Sequence, residues 1–175
     1  MMKRILNTYC IFSFTALVTA TAFAGSMPST NLQNKTVTLF WGETNTWRRL
    51  PDGQTGSSTP TFERLIYISS AGRPFVRVNA KAGSVAKQDF GPDANAGRFA
   101  FEGLTMTNFA GRAGLLRKFT VTFDPAFSSC TATVAILKDG PNPKTPGIDG
   151  AQYETLSISA GQISCSVKNG NSLAN

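Results

Sequence analysis

The feature that most constrains this chain is a period-two alternation of apolar and polar residues. It recurs in short runs, most of them closed by Gly, Pro, Asn or Asp. Successive side chains of a strand point to opposite faces, so such a run buries one face and wets the other. The clearest example is Arg117–Phe123. Phe119, Val121 and Phe123 face one way, while Lys118, Thr120 and Thr122 face the other. Thr36–Trp41 sets Val37, Leu39 and Trp41 opposite two threonines. Phe75–Asn79 groups Val76 with Val78, and Arg98–Glu102 groups Phe99 with Phe101. Phe62–Ile68 is apolar on both faces, as in a buried central strand.

Gly103 marks a one-residue slip of phase, after which Leu104 and Met106 align, so a bulge or tight turn is expected there. Cys130–Leu137 reads as a further strand. Tyr153–Ser159 and Ile163–Lys168 are predicted as a final hairpin through Ala160-Gly161-Gln162. The best helical candidate is Ala110–Leu116, weakened by Gly111 and Gly114. About eight short strands without a strong helix predict a single-domain antiparallel β-sandwich or small barrel. Pro51–Pro60 and Gly140–Gly150 read as long loops, the usual places for binding surfaces on a β scaffold.

Residues 1–24 carry the marks of a cleaved secretory signal. Lys3 and Arg4 form a positive start, Ile11–Ala20 an apolar stretch, and Ala22-Phe23-Ala24 a small-x-small cleavage site. The apolar stretch is short for a bilayer span and is interrupted by Ser13, Thr15 and Thr19. Removing 24 of the 175 residues leaves 151, with no transmembrane segment expected in the mature chain. That chain divides into a flexible segment 25–34, a β domain 35–168 and a tail 169–175. A periplasmic or secreted location follows from the signal.

Cys10 leaves with the signal, so three cysteines become the pair Cys130 and Cys165. In an exported protein such a pair predicts a disulfide. Cys130 shares phase with Val134 and Ile136, and Cys165 with Ile163 and Val167, so both sulfurs point into the core. Closing their 34-residue loop contributes roughly 3–4 kcal/mol in the chain-entropy treatment.

The chain has no histidine. That removes histidine triads, histidine metal sites and the usual general base near neutral pH. Two cysteines alone make a poor zinc site. No catalytic residue, metal or cofactor is assigned. Ser84-Val85-Ala86-Lys87 matches a serine–lysine catalytic pattern without its companion elements. Asp89-Phe90-Gly91 has no other kinase signature beside it. Asp93-Ala94-Asn95-Ala96-Gly97 begins like a calcium loop, but Leu104 stands where the last carboxylate belongs, so it reads as a turn. Glu43, Glu63, Glu102, Asp124 and Glu154 are the carboxylates available for glycoside hydrolysis, and their spacing selects no pair.

Trp41–Arg49 is the most suggestive segment, holding both tryptophans and two arginines. Trp41 is in phase with the core, while Trp47 either packs over the sandwich edge or offers an exposed aromatic face to a ligand. Trp47, Arg48 and Arg49 are the candidate ligand-binding residues, with the 140–150 loop second. Aromatic faces beside polar groups suit sugars or a protein partner, and guanidinium groups suit carboxylate or phosphate. The net charge of +7 falls to about +5 without Lys3 and Arg4 and is dispersed, which argues against nucleic acid. The expected function is that of an exported non-catalytic binding protein for a glycan, an anionic envelope polymer or a protein. The alternatives are a pilin-like assembly subunit and a small carboxylate-dependent glycan hydrolase.

Overall fold

A computed structural model describes residues 27–79, 88–89, 98–112, 115–138 and 140–173. The signal segment, Cys10, Ser84–Lys87, Asp93–Gly97 and Asp139 lie outside the described residues. A 3₁₀ turn at Thr30–Leu32 leads into β1 (Lys35–Arg49), β2 (Thr55–Ser58), β3 (Thr61–Ile68), β4 (Pro74–Asn79) and β5 (Gln88–Asp89). There follow β6 (Phe99–Glu102), β7 (Thr105–Arg112), β8 (Leu115–Phe123), β9 (Cys130–Leu137), β10 (Lys144–Pro146) and β11 (Gln152–Asn169).

These strands form two antiparallel sheets in a sandwich-like arrangement, as the alternation predicts. The small sheet has the order β6-β7-β8-β9. The large sheet has the order β10-β11-β1-β3-β4-β5, with β2 also on β1. Val37, Leu39, Ile66 and Ile68 of the large sheet meet Met106, Phe119, Val121 and Phe123 of the small one in a common core. Trp41 packs edge-on against Phe119 at 4.8 Å between ring centroids. Cys130 of β9 is bonded to Cys165 of β11, with Cα atoms 5.5 Å apart, so the disulfide ties the two sheets together.

Four expectations are corrected. Within the helical candidate Ala110–Leu116, residues 110–112 and 115–116 are extended instead, and β7 and β8 pair as far as Arg112↔Leu115. The final hairpin is instead one strand, β11. Ala160-Gly161-Gln162 forms a bulge, because β1 runs alongside both halves and only Gly42 lies opposite Gly161 and Gln162. The loop at 51–60 contains β2, which begins the return path along β1 that β3 continues after an interruption at Thr59 and Pro60. The loop at 140–150 contains β10, paired to the start of β11. The slip at Gly103 is a tight turn, with Glu102 paired to Thr105 across Gly103-Leu104.

Both ends of the described chain pack onto the domain. Leu32 and Leu173 are buried. The Thr36 hydroxyl donates to the Gly170 carbonyl at 2.6 Å, and Thr36 Oγ1 accepts from the Ser172 amide at 3.0 Å.

The large sheet has two tiers. In the lower tier β1 lies between β11 and β3, over the small sheet. In the upper tier β1 and β11 continue beyond the bulge, flanked by β2 and β10.

Candidate functional site

The inward phase of β1 does not stop at Trp41. In steps of two it passes from Val37, Leu39 and Trp41 to Glu43, Asn45, Trp47 and Arg49. Trp47 is therefore in the same phase as Trp41. Arg48 points to the opposite face of the sheet.

Glu43 is 2% exposed. Its carboxylate accepts from Trp41 Nε1 at 2.8 Å and forms a two-pronged pair with Arg117 of β8, whose Nη2 lies 2.7 Å from Oε2. The pair crosses between the two sheets. Arg117 also lies over the Phe62 ring at 5.8 Å. Nearby, Arg64 Nε donates to Asn108 Oδ1 at 2.8 Å, both residues being buried. A cavity of about 230 Å³ is lined by the Trp41, Phe62 and Phe119 rings together with these two arginines.

Above the Glu43–Arg117 pair lies a larger cavity of about 410 Å³. Asn45, Thr145, Thr155 and Ile158 of the upper tier form one wall, and Leu115 and Arg117 of β8 the other. Gly111 completes it. With φ near +143°, Gly111 approaches Leu115 so closely that a Cβ there would lie 2.3 Å from the Leu115 carbonyl oxygen. The Asn45 side-chain oxygen is buried and has no hydrogen-bond partner. Cross-strand register puts Asn45 opposite Ile158, Trp47 opposite Thr155 and Arg49 opposite Tyr153, so the inward face continues from the cavity to Trp47, Tyr153 and Arg49.

The three candidate ligand residues have unequal places. Trp47 stands edge-on to Tyr153 at 5.2 Å and covers Gly56 of β2, where a Cβ would meet the indole at 2.4 Å. It remains half-buried. Arg49 is held by Asp52 and by Asp149, whose Oδ2 also accepts from the Tyr153 hydroxyl at 3.0 Å. Arg48, on the other face, pairs with Glu154, which accepts from Asn142 as well.

These carboxylates all lie below their usual range. The Gln54 amide and Arg49 lower Asp52; the Tyr153 hydroxyl, the Ala151 amide and Arg49 lower Asp149; Arg48 and Asn142 lower Glu154. Asp52, Asp149 and Tyr153 in turn raise Arg49. Near neutral pH the two arginines are thus matched by three carboxylates. Of the five carboxylates available for hydrolysis, Glu43 and Glu154 are in ion pairs and Asp124 caps a turn through the Ser128 and Ser129 amides. Among the described residues, no three Cys, Asp or Glu side chains group as metal ligands, and no helix is long and apolar enough to cross a membrane.

The residue that sequence reasoning passed over is Asn45. The signal for it was present: extending the count from Val37 by twos beyond Trp41 reaches Glu43, Asn45 and Trp47. Comparison with known proteins identifies no relative, since no family model, curated protein or solved structure matches the chain.

Proposed function

We propose that this chain is an exported, non-catalytic binding protein whose ligand is a neutral glycan, taken on the inward face of the upper tier. The supporting observation is the Trp47–Tyr153 aromatic pair, set on the same face as the hydroxyls of Thr145 and Thr155. Aromatic surface beside fixed hydrogen-bonding groups is the chemistry that holds sugar rings. An anionic envelope polymer is the weaker ligand, because Arg48 and Arg49 already face Glu154, Asp52 and Asp149. Arg49 then orients Asp149 and Tyr153, and Arg48 braces β11 from behind. Export rests on residues 1–24 and predicts a mature chain beginning at Gly25.

Titration calorimetry with maltohexaose, cellohexaose and N-acetylglucosamine hexamer tests the reading. At least one is expected to bind, and Trp47→Ala is expected to weaken it about tenfold or more, in keeping with loss of an aromatic anchor. If none of the three binds, or Trp47→Ala binds like the parent, the glycan reading is wrong. N-terminal sequencing of the exported product checks the cleavage.

A further inference from the structure

We infer that the outer face of the small sheet is a second binding surface, an array of six threonines that adsorbs to ice. It is separate from the glycan site, which lies on the inward face of the large sheet.

The array is built from three Thr-x-Thr segments: Thr105-Met106-Thr107 on β7, Thr120-Val121-Thr122 on β8 and Thr131-Ala132-Thr133 on β9. The middle residue of each points inward, Met106 and Val121 being fully buried and Ala132 packed against the core. Alternation therefore turns all six threonines outward. Register aligns them. Thr105 is opposite Thr122, and Thr122 opposite Thr131; Thr107 is opposite Thr120, and Thr120 opposite Thr133. The sheet thus carries two adjacent rows of three. Thr122, Thr131 and Thr133 are exposed, and the other three are half-buried.

Threonine suits strands, and cross-strand pairs stabilise a sheet when their hydroxyls bond to one another. This chain makes such a bond between Thr46 of β1 and Ser157 of β11, at 2.6 Å. In the array, by contrast, none of the six hydroxyls has a hydrogen-bond partner among the described residues. All six are left to water.

What they present to water is a lattice. Neighbouring strands lie about 4.8 Å apart, and alternate residues of an antiparallel strand about 6.8 Å apart. Both spacings are close to the repeats of the oxygen lattice on a prism face of hexagonal ice. β-Branching stiffens χ1, so the hydroxyls keep the spacing of the backbone instead of scattering. Each hydroxyl can donate and accept as a lattice water does, and the methyl beside it offers no competing polar partner. The six positions hold no charge; Glu102 and Lys118 stand beside them, opposite Thr105 on β6 and two residues before Thr120 on β8. Sheet twist of roughly 20–25° per strand confines the match to a few strands. Adsorption of this kind slows recrystallisation more than it lowers the freezing point.

The test grows ice slowly on a cold finger from a dilute solution of the folded chain, with a co-dissolved dye as the excluded reference. The parent is expected to be enriched in the ice at least twofold over the dye, and to slow recrystallisation of a frozen sucrose film at least twofold. Thr120→Lys, at the middle of the array, is expected to remove both effects with an unchanged near-UV spectrum. Thr133→Lys, on the edge strand β9, decides the matter if Thr120→Lys does not fold. Thr44→Lys, exposed on the outer face of the large sheet, adds the same charge elsewhere and is expected to behave like the parent. A parent excluded from ice like the dye overturns the inference. Parental enrichment in a folded array variant overturns it too, as does an equal loss in Thr44→Lys. Each of these results leaves the glycan reading as it stands, since no hexasaccharide enters the assay.

Discussion

Glu43 shows how one residue can be visible in a sequence without its role being visible. It stood among five carboxylates, and polarity alone places such residues on the surface. Phase places it inside, two residues beyond Trp41. The conflict is resolved by Arg117, which arrives from the other sheet and is therefore invisible to any local reading. Breaking a buried pair by removing one partner commonly costs 3–5 kcal/mol, about what an uncompensated buried charge is worth. Arg117 retains 20% side-chain exposure, so water can reach part of its charge. Glu43→Ala is accordingly expected to destabilise the fold by about 3 kcal/mol, at the lower end of that range. Replacing both partners by Met is expected to restore most of it, since no charge is then stranded. Urea unfolding of the two variants checks this. A Glu43→Ala midpoint equal to the parent's would show that the pair does not brace the two sheets.

The elements were legible where an apolar phase marked them and obscure where it lapsed. β8 and β9 lie where alternation places them, since each has an inward face to pattern, largely buried in β8 and half-buried in β9. The upper half of β1 was not legible as strand, because its inward residues beyond Trp41, namely Glu43, Asn45, Trp47 and Arg49, carry no regular apolar alternation. β11 was divided in two because Gly161 carries the local signature of a turn; the neighbouring strand overrides it. The helical candidate Ala110–Leu116, already weakened by Gly111 and Gly114, gives way to the pairing of Ala110–Arg112 with Leu115–Arg117.

The β8–β9 connection also carries a pH dependence. Asp124 accepts from the Ser129 and Ser128 amides and the Ser128 hydroxyl, which hold its pKa at about 2 rather than 3.8. A carboxyl depressed on folding stabilises the native state above its unfolded pKa and loses that contribution as pH falls through the folded value. The contribution is thus complete above about pH 4 and fades towards pH 2. Asp124→Asn is expected to make acid unfolding shallower in that window, and the Asp124 carboxyl resonance of the parent to titrate near 2. A midpoint near 4 would refute the turn's hydrogen bonding.

At the scale of the molecule, the question is what holds the two sheets in register. The core joins them through apolar contact, which is strong but non-directional. Directional links join them as well, among them Glu43–Arg117 between β1 and β8, Arg64–Asn108 between β3 and β7, and Cys130–Cys165 where β9 lies over β11. The disulfide was legible in the sequence because Cys130 and Cys165 both share the inward phase of their strands. Which strands it joins was not, since that depends on the sheet order. Its separation of 35 residues implies about 3–4 kcal/mol by restriction of the unfolded chain. Because the core contacts do not depend on it, Cys130→Ser/Cys165→Ser is expected to keep the fold and lose that amount. Reduced parent and double variant should then unfold at the same lower urea midpoint. A loss near zero would mean the core alone fixes the register. Loss of the native near-UV spectrum at neutral pH would mean instead that the crosslink is required for folding, as in much smaller exported domains.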